Sequence, residues 1–241
     1  MRISDDPSMK AVECLALTAA ACRANVLLEG ESGVGKAFIA RRIHLASPWA
    51  RRGFRSLFCV PEGEAGPDVL QLAGELRTLT SKYGTIYVRG VDVLNDIGQR
   101  KLLAYLDERD REIQTSVGGH AGFARLIFSS QHHLARQCDQ GLFLKQLYLR
   151  VSVITIEVPP LRRRTTDIVS LAEHFLGFYA RRECKTIRGI SPDAQHLLRR
   201  MSWEGNIHEL KNTINRAVVM ADDGQVLSAG ILEGVLPRGC T

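Results

Sequence analysis

The sequence feature that most constrains this chain is a glycine-rich segment, Gly30-Glu-Ser-Gly-Val-Gly-Lys36-Ala37. An apolar run at 25–29 precedes it, and a helical pattern at 38–44 follows it. In such a segment backbone N–H groups converge on phosphate oxygens, the helix N-terminus adds its positive end, and the lysine reaches the β- and γ-phosphates. The segment therefore predicts a nucleotide-binding loop, whose residues are Gly30, Glu31, Ser32, Gly33, Val34, Gly35, Lys36 and Ala37.

The pattern of apolar runs predicts an α/β fold. Short apolar runs alternate with stretches of helical periodicity, which indicates a five-stranded, mostly parallel sheet between helices. After Arg164 every periodic segment is helical, so we predict a small all-α subdomain and domains at 1–163 and 164–241. The predicted strands are 25–29, 56–60, 85–88, 125–129 and 151–158, and the predicted helices include 9–22, 98–108, 134–149, 166–182, 191–201 and 206–221.

Composition excludes several classes of protein. The 241 residues are 45% apolar and 24% charged, which is typical of one or two folded soluble domains. No apolar run approaches the roughly 18 residues of a membrane helix, and the polar N-terminus is unlike a signal peptide, so we expect a cytoplasmic protein without membrane contact. The six cysteines form no CxxC pair, and adjacent His132 and His133 do not share a helix face, so we predict no metal site.

Clustered arginines give the chain a basic character. The net charge is +6, and basic residues gather in short runs. Such runs suit an anionic partner, either nucleotide or nucleic acid, although ordinary solvated surface is the commoner explanation of any single run. The runs are Arg41-Arg42, Arg51-Arg52, Arg162-Arg163-Arg164, Arg181-Arg182 and Arg199-Arg200.

Three segments resemble the central AAA+ domain of bacterial enhancer-binding proteins, the ATPases that remodel sigma-54 RNA polymerase. They are 30–44 (GESGVGKAFIARRIH), 147–161 (LYLRVSVITIEVPPL) and 203–219 (WEGNIHELKNTINRAVV). The resemblance implies a P-loop AAA+ fold followed by a helical lid, ATP or ADP as ligand, and assembly into rings. Ala37 stands where the family commonly has Glu.

The metal-binding position of the family is altered in this chain. The family ends the strand that corresponds to 85–88 in Asp-Glu, which holds Mg²⁺ and orients the attacking water. Here those positions are Arg89 and Gly90. A guanidinium cannot ligate a cation and glycine has no side chain to offer, so we expect nucleotide binding to depend little on Mg²⁺. Asp92 is the nearest carboxylate.

Other catalytic positions of the family also differ. The polar sensor corresponds to Gln131, and the two arginine fingers correspond to Leu144 and Arg150, so Gln131 and Arg150 keep only residual catalytic roles. The lid arginine, which contacts nucleotide in the family, corresponds to His208, a shorter and mostly neutral side chain. The segment 59–84 contains no GAFTGA loop, the family's contact with sigma-54, and a plain helix is predicted at 68–79 instead.

The resemblance and its departures lead to one main hypothesis: a nucleotide-binding transcriptional regulatory module without efficient ATP hydrolysis or sigma-54 remodelling. Two alternatives remain open, a nucleotide-free interaction protein that pairs with itself or an intact AAA+ relative, and a slow ATPase that uses Gln131, Arg150 and Asp92. DNA contact is expected only through phosphates and without sequence preference. We expect no receiver domain before the AAA+ part and no helix-turn-helix after Leu236-Pro237.

Overall fold

The computed structural model describes residues 4, 6–59, 74, 76–79, 82–115 and 123–236. The five strands, with helices between them, lie before residue 158. The described residues after β5 form helices and no further strand of the sheet. In chain order the elements are α1 (Pro7–Ala20), β1 (Val26–Glu29), α2 (Lys36–Leu45), β2 (Gly53–Phe58), β3 (Tyr83–Arg89), α3 (Asp96–Thr115), β4 (Arg125–Ser130), α4 (Leu134–Asp139), α5 (Lys145–Val151), β5 (Ile154–Glu157), α6 (Thr165–Arg182), α7 (Pro192–Arg200), α8 (Asn206–Met220) and α9 (Ala229–Val235).

The five strands form one sheet in the order β2-β3-β4-β1-β5, and every neighbouring pair is parallel. All residues of β1 and β4 are buried, because helices cover both faces of a parallel sheet. Most of these residues are apolar, and the polar ones lie at the ends of the two strands. Edge strand β2 instead alternates between exposed and half-buried residues over most of its length. The predicted α/β fold with a five-stranded sheet and a following helical part is confirmed.

The structure differs from the predicted elements in the region after β4. A single helix was predicted at 134–149, but α4 and α5 are separate because Gly141 adopts a left-handed φ of 71° and ends α4. Its N–H donates to the carbonyl of Cys138 at 3.1 Å, a common way to close a helix C-terminus. The strand predicted from Val151 begins only at Ile154, because Val151 is the last residue of α5.

The helix predicted at 68–79 lies mostly outside the described residues. Gly74 and residues 76–79 are helical, and Leu76 is buried in the core of the sheet. No helix among the described residues combines the length and the apolar composition that a membrane span requires.

The chain contains two compact units. The sheet unit comprises residues 12–30 and 36–158, and the helical unit comprises the chain from Pro159 together with the residues up to Ala11 and Glu31–Gly35. The core of the helical unit is built around Trp203, which is fully buried and donates its indole N–H to the carbonyl of Leu198 at 2.8 Å. The glycine-rich loop therefore belongs mainly to the helical unit, although Gly30 and Lys36 belong to the sheet unit.

Candidate functional site

Three glycines shape the predicted nucleotide-binding loop. Gly30, Gly33 and Gly35 have φ values of 142°, 77° and 105°, a region that side chains other than glycine rarely adopt. At Gly33 there is also no room for a side chain, since a Cβ there would lie 2.3 Å from the carbonyl oxygen of Gly205. The spacing of glycines in the sequence thus reflects a requirement of the backbone at each position.

Three successive carbonyl groups of the loop accept hydrogen bonds inside the helical unit. Ser32 accepts from the side-chain amide of Asn206 at 2.9 Å, Gly33 accepts from the backbone N–H of Ile207 at 3.1 Å, and Val34 accepts from Arg164 at 2.7 Å. In a planar trans peptide the N–H points away from the preceding C=O. The N–H groups of residues 33–35 therefore face away from these partners, as an anion-binding loop requires.

The side chain of Asn206 links Glu31 and Ser32 of the loop to Leu161. Asn206 is fully buried, has a φ of 54°, and donates to Glu31 Oε2 at 3.1 Å in addition to Ser32. Its Oδ1 accepts the backbone N–H of Leu161 at 2.7 Å. Asparagine tolerates a left-handed backbone better than most residues, which explains its place directly after Gly205 at the start of α8.

Glu31 forms a two-pronged ion pair with Arg162. The guanidinium donates to both carboxylate oxygens, at 2.8 Å and 2.5 Å. These hydrogen bonds, aided by the amide of Asn206, lower the pKa of Glu31 to about 2. The Glu31 carboxylate therefore contacts the helical unit's own residues, which makes it a support of the loop.

Arg162→Ala is expected to raise the pKa of Glu31 from about 2 toward its ordinary value of 4.5, because the charged donors are lost. A lowered pKa contributes stability above pH 4.5, and that contribution disappears as the pH falls toward 2. Both side chains are about 40% exposed, so solvent screening limits the pair to less than about 1 kcal/mol. Titration followed by carboxyl-carbon NMR measures the shift, and an unchanged pKa would contradict this assignment.

Lys36 and His208 complete the predicted binding residues. Lys36 is the first residue of α2, and its ammonium donates back to the carbonyl of Gly30, so it lies across the loop at the positive end of the helix. Ala37 is exposed on the first turn of α2. His208 is exposed on α8, and its Cβ would lie 3.2 Å from a Cβ at Gly33. His208 thus lies beside the loop.

The end of β3 lacks the side chains that a metal would need. The Arg89 guanidinium stacks over the ring of Phe58, 4.3 Å from the ring centroid. Gly90 has a φ of 73° and donates its N–H to the carbonyl of Ser129 at 2.8 Å. A glutamate at position 90 would have to adopt a left-handed backbone that disfavours it. The residues here do not fit Mg²⁺.

Asp92 is bound to the segment that follows β4. Its side chain is about 1% exposed, and Oδ2 accepts the backbone N–H of Gln131 at 3.1 Å and lies 2.8 Å from His132 Nδ1. The Gln131 side chain itself is exposed. In the carboxylate that the slow-ATPase hypothesis requires, Oδ2 therefore holds the Gln131 backbone, whereas the buried Oδ1 has no hydrogen-bond partner among the described residues.

The two residues with predicted residual catalytic roles lie at opposite edges of the sheet. Gln131 follows the carboxyl end of β4, whereas the carbonyl of Arg150 accepts a hydrogen bond from Asn25 just before β1. The Arg150 guanidinium lies 2.9 Å from Asp107 and 2.8 Å from Asp110 of α3. The sheet unit does not bring Gln131 and Arg150 together.

His133, at the carboxyl edge of the sheet, lies between two carboxylates. His133 Nδ1 lies 3.2 Å from buried Glu29, and its Nε2 lies 3.9 Å from Glu157. Glu29 also accepts the N–H of Leu134 at 2.8 Å. No group of three or more His, Cys, Asp or Glu side chains suited to a metal ion occurs among the described residues.

Sequence reasoning missed the residues that support the loop. The run 162–164 was interpreted as basic surface, yet Arg162 pairs with Glu31, and Arg164 is about 3% exposed and bonded to Val34. In the segment 203–219 the sequence predicted His208 as a binding residue and did not identify Asn206 as a support of the loop. The one available signal was the Gly-Asn pair before an amphipathic helix, because both residues tolerate positive φ.

The sequence matches the sigma-54 interaction domain family over residues 9–161 and the AAA+ ATPase lid domain family over residues 162–237. The chain belongs to the sigma-54 interaction domain family. The predicted resemblance is thereby confirmed, and the five-stranded sheet followed by a helical part is the architecture of a sigma-54 interaction domain with its lid.

Several curated proteins are similar to this chain. The transcriptional regulatory protein ZraR of Klebsiella oxytoca is 34% identical over 230 residues, which are 90% of this chain and 52% of ZraR. The nitrogen fixation protein AnfA of Azotobacter vinelandii is 33% identical over 241 residues, 94% of this chain and 45% of AnfA. The chain thus spans about half the length of these curated relatives.

Solved structures of NtrX from Brucella abortus share this fold. The structure in complex with ATP has a TM-score of 0.80 at 27% identity and covers 98% of this chain and 56% of NtrX. The structure in complex with ADP has a TM-score of 0.77 at 25% identity and covers 100% of this chain and 56% of NtrX. Proteins similar to this sigma-54 interaction domain therefore include one crystallised with adenine nucleotides.

Proposed function

We propose that this domain is a nucleotide-binding module of a transcriptional regulator, with the loop from Gly30 to Ala37 as the site for ATP or ADP. The observation that carries the proposal is that three successive loop carbonyls, of Ser32, Gly33 and Val34, accept hydrogen bonds. The N–H group that follows each carbonyl therefore points away from the donor of that hydrogen bond and is oriented for a phosphate. Lys36 and the positive N-terminus of α2 would add charge for the β- and γ-phosphates.

We further propose that the bound nucleotide is hydrolysed poorly or not at all. In the family Mg²⁺ neutralises phosphate charge and positions the attacking water, but Arg89 and Gly90 supply no ligand for it. Asp92 is buried and held through Oδ2 by the backbone of Gln131 and by His132, and a single carboxylate would not replace the two that the family uses. A domain that binds nucleotide without hydrolysing it would act as a nucleotide sensor. The conformation of the loop, with or without bound nucleotide, would then be the signal.

The partners and domain boundaries follow from the same reasoning. We propose a division near residue 163 between the nucleotide-binding part and the lid, and we propose His208 as a weak lid contact to phosphate because it lies beside Gly33. The domain would act within a regulator of RNA polymerase, with itself or an intact AAA+ relative as partner. Contact with sigma-54 would not use the family's usual loop.

The proposal is tested by equilibrium binding of a fluorescent ATP analogue, with Mg²⁺ and with EDTA. We expect saturable binding of equal affinity in both buffers. Lys36→Ala should weaken it about tenfold to a hundredfold, because a hydrogen-bonded ammonium on phosphate contributes about 1.5 to 3 kcal/mol. Lys211→Ala, on the exposed face of α8, is the matched control and should bind as the original chain does.

Other outcomes would point to the alternatives. Absence of binding in the original chain would contradict the proposal and favour a nucleotide-free interaction protein. Steady-state phosphate release above the level of Lys36→Ala would contradict the expected lack of turnover and favour a slow ATPase. Equal binding by Lys36→Ala and the original chain would place the nucleotide outside the loop.

A further inference from the structure

Several carboxylates of the sheet unit lie at one edge of the parallel sheet. Glu29, Asp92 and Glu157 lie at the carboxyl ends of their strands or directly after them. The opposite edge, where the strands begin, is called here the amino edge. It is formed by residues 22–25 before β1, residues 46–52 before β2, and residues 123–125 at the start of β4.

The segment that runs from α2 into β2 is rich in arginine, although Arg42 in it pairs with Glu13 of α1 at 3.3 Å. No Asp or Glu occurs between Glu31 and Glu62, whereas five arginines do. Helix α2 ends at the amino edge, since His44 near its C-terminus lies 2.9 Å from Thr85 at the start of β3. The exposed arginines there are Arg41 on α2 and Arg51 just before β2.

Half-buried arginines continue the same surface. Arg23 lies over the ring of Trp49, 4.3 Å from the ring centroid, and donates to the carbonyl of Phe123. Burial, together with the nearby charges of Arg52 and Arg109, lowers the pKa of Arg23. Three arginines, Arg23, Arg52 and Arg109, therefore lie close enough to affect one another.

Arg125 adds a buried positive charge directly behind this surface. It is fully buried at the start of β4, beside Thr85 of β3, and its three guanidinium nitrogens have no hydrogen-bond partner among the described residues. Burial lowers the pKa of Arg125 to about 10, so the side chain remains charged at neutral pH. An uncompensated buried charge is costly and raises the positive potential of the surface above it.

The segment 46–52, which carries Arg51 and Arg52, is held against the sheet. Consecutive turns close it, with N–H groups of Ala50 and Arg52 donating to Ser47 and Trp49 at 3.1 and 2.9 Å. Gly84 of β3 makes the close approach possible, because a Cβ there would lie 2.7 Å from the Trp49 carbonyl oxygen. The backbone that carries exposed Arg51 is therefore fixed by hydrogen bonds and by packing against β3.

We propose that the amino edge of the sheet binds the phosphate backbone of duplex DNA, at a site separate from the nucleotide-binding loop. The arginines come from α2, the segment before β1 and the segment before β2, so their charges are spread along an edge. Spread charges match successive phosphates of a polyanion better than one small anion. Arginine also offers two parallel donors to a phosphate, a geometry that lysine lacks.

The test is the anisotropy of a short fluorescein-labelled DNA duplex of arbitrary sequence, titrated with the full chain between about 50 and 200 mM salt. Replacing two phosphate contacts in the double variant Arg41→Gln and Arg51→Gln should weaken binding roughly tenfold at the lowest salt. It should also reduce the slope of log affinity against log salt by about 2. The Lys36→Ala variant should bind the duplex as the original chain does.

The matched control replaces Arg199 and Arg200, exposed at the end of α7, with glutamine and so changes the net charge by the same amount. It should bind within about twofold of the original chain if position matters more than total charge. An equal loss in the control and the amino-edge variant would overturn the proposal, and so would a loss in Lys36→Ala. Binding to phosphatidylserine–phosphatidylcholine vesicles through Arg41 and Arg51, without duplex binding, would also overturn it. Thermal unfolding followed by circular dichroism confirms that each variant is folded.

Discussion

Gly33→Ala is expected to lower the free energy of unfolding of the helical unit by about 3 kcal/mol or more. Two costs combine at this position. An alanine at a φ of 77° costs about 1 to 2 kcal/mol, and its Cβ would lie 2.3 Å from the Gly205 carbonyl oxygen, so the loop or the start of α8 must move. Denaturant unfolding followed by the fluorescence of buried Trp203 measures the change.

Gly224→Ala is the matched control for this prediction. Gly224 belongs to the same helical unit and has a similar φ of 80°, but the nearest atom to a Cβ there is the end of the Arg188 side chain at 3.9 Å. It should therefore show only the backbone cost of about 1 to 2 kcal/mol. An equal loss of stability in the two variants would contradict the close approach of Gly33 to the Gly205 carbonyl oxygen. Gly33→Ala should also abolish binding of the ATP analogue, because the displaced loop no longer presents its N–H groups together.

Asn206→Ala is expected to destabilise the helical unit by about 3 kcal/mol. The substitution leaves the buried Leu161 N–H without its partner, at a cost of about 1 to 3 kcal/mol, and removes the donor to the part-buried Ser32 carbonyl, at a smaller cost. Asn206 also has a left-handed φ of 54°, which alanine adopts less readily. The same fluorescence-detected unfolding experiment gives the difference.

Two further variants separate the contributions of Asn206. Asn206→Asp keeps an acceptor for Leu161 but loses the amide donors and brings a second carboxylate next to Glu31, so we expect a loss as large as that of alanine. Asn212→Ala, one and a half turns further along α8 and half-buried, should change stability by less than about 0.5 kcal/mol. A mild effect of Asn206→Asp would show that the amide does not hold the loop.

The two predictions concern the same structural relation, in which the glycine-rich loop is held by the helical unit through its carbonyl groups. Asn206 and Arg164 bind consecutive parts of the loop, and Arg162 binds Glu31 at its beginning. We therefore expect a change at the loop to affect the start of α8 and the turn at Leu161–Arg163, to which these hydrogen bonds connect it. This relation gives the proposed nucleotide sensor a physical route to its output.

The sequence by itself determined the class of fold and the position of the loop. Apolar runs of strand length separated by helical periodicity are local signals, and the glycines at 30, 33 and 35 occupy φ values that only glycine adopts easily. The same local signals failed where one residue changed the outcome. Gly141 divided the helix predicted at 134–149, because a left-handed residue ends a helix whatever the surrounding periodicity suggests.

Only the tertiary structure decided what the charged side chains do. Glu31 and Arg162 are 131 positions apart in the chain, and nothing in either local pattern identifies the other as its partner. The arginine runs looked alike in sequence, yet Arg164 is buried against the loop while Arg41 and Arg51 remain exposed at the amino edge. Backbone conformation follows from neighbours in sequence, whereas the role of a charge depends on which distant groups the fold places within hydrogen-bond reach.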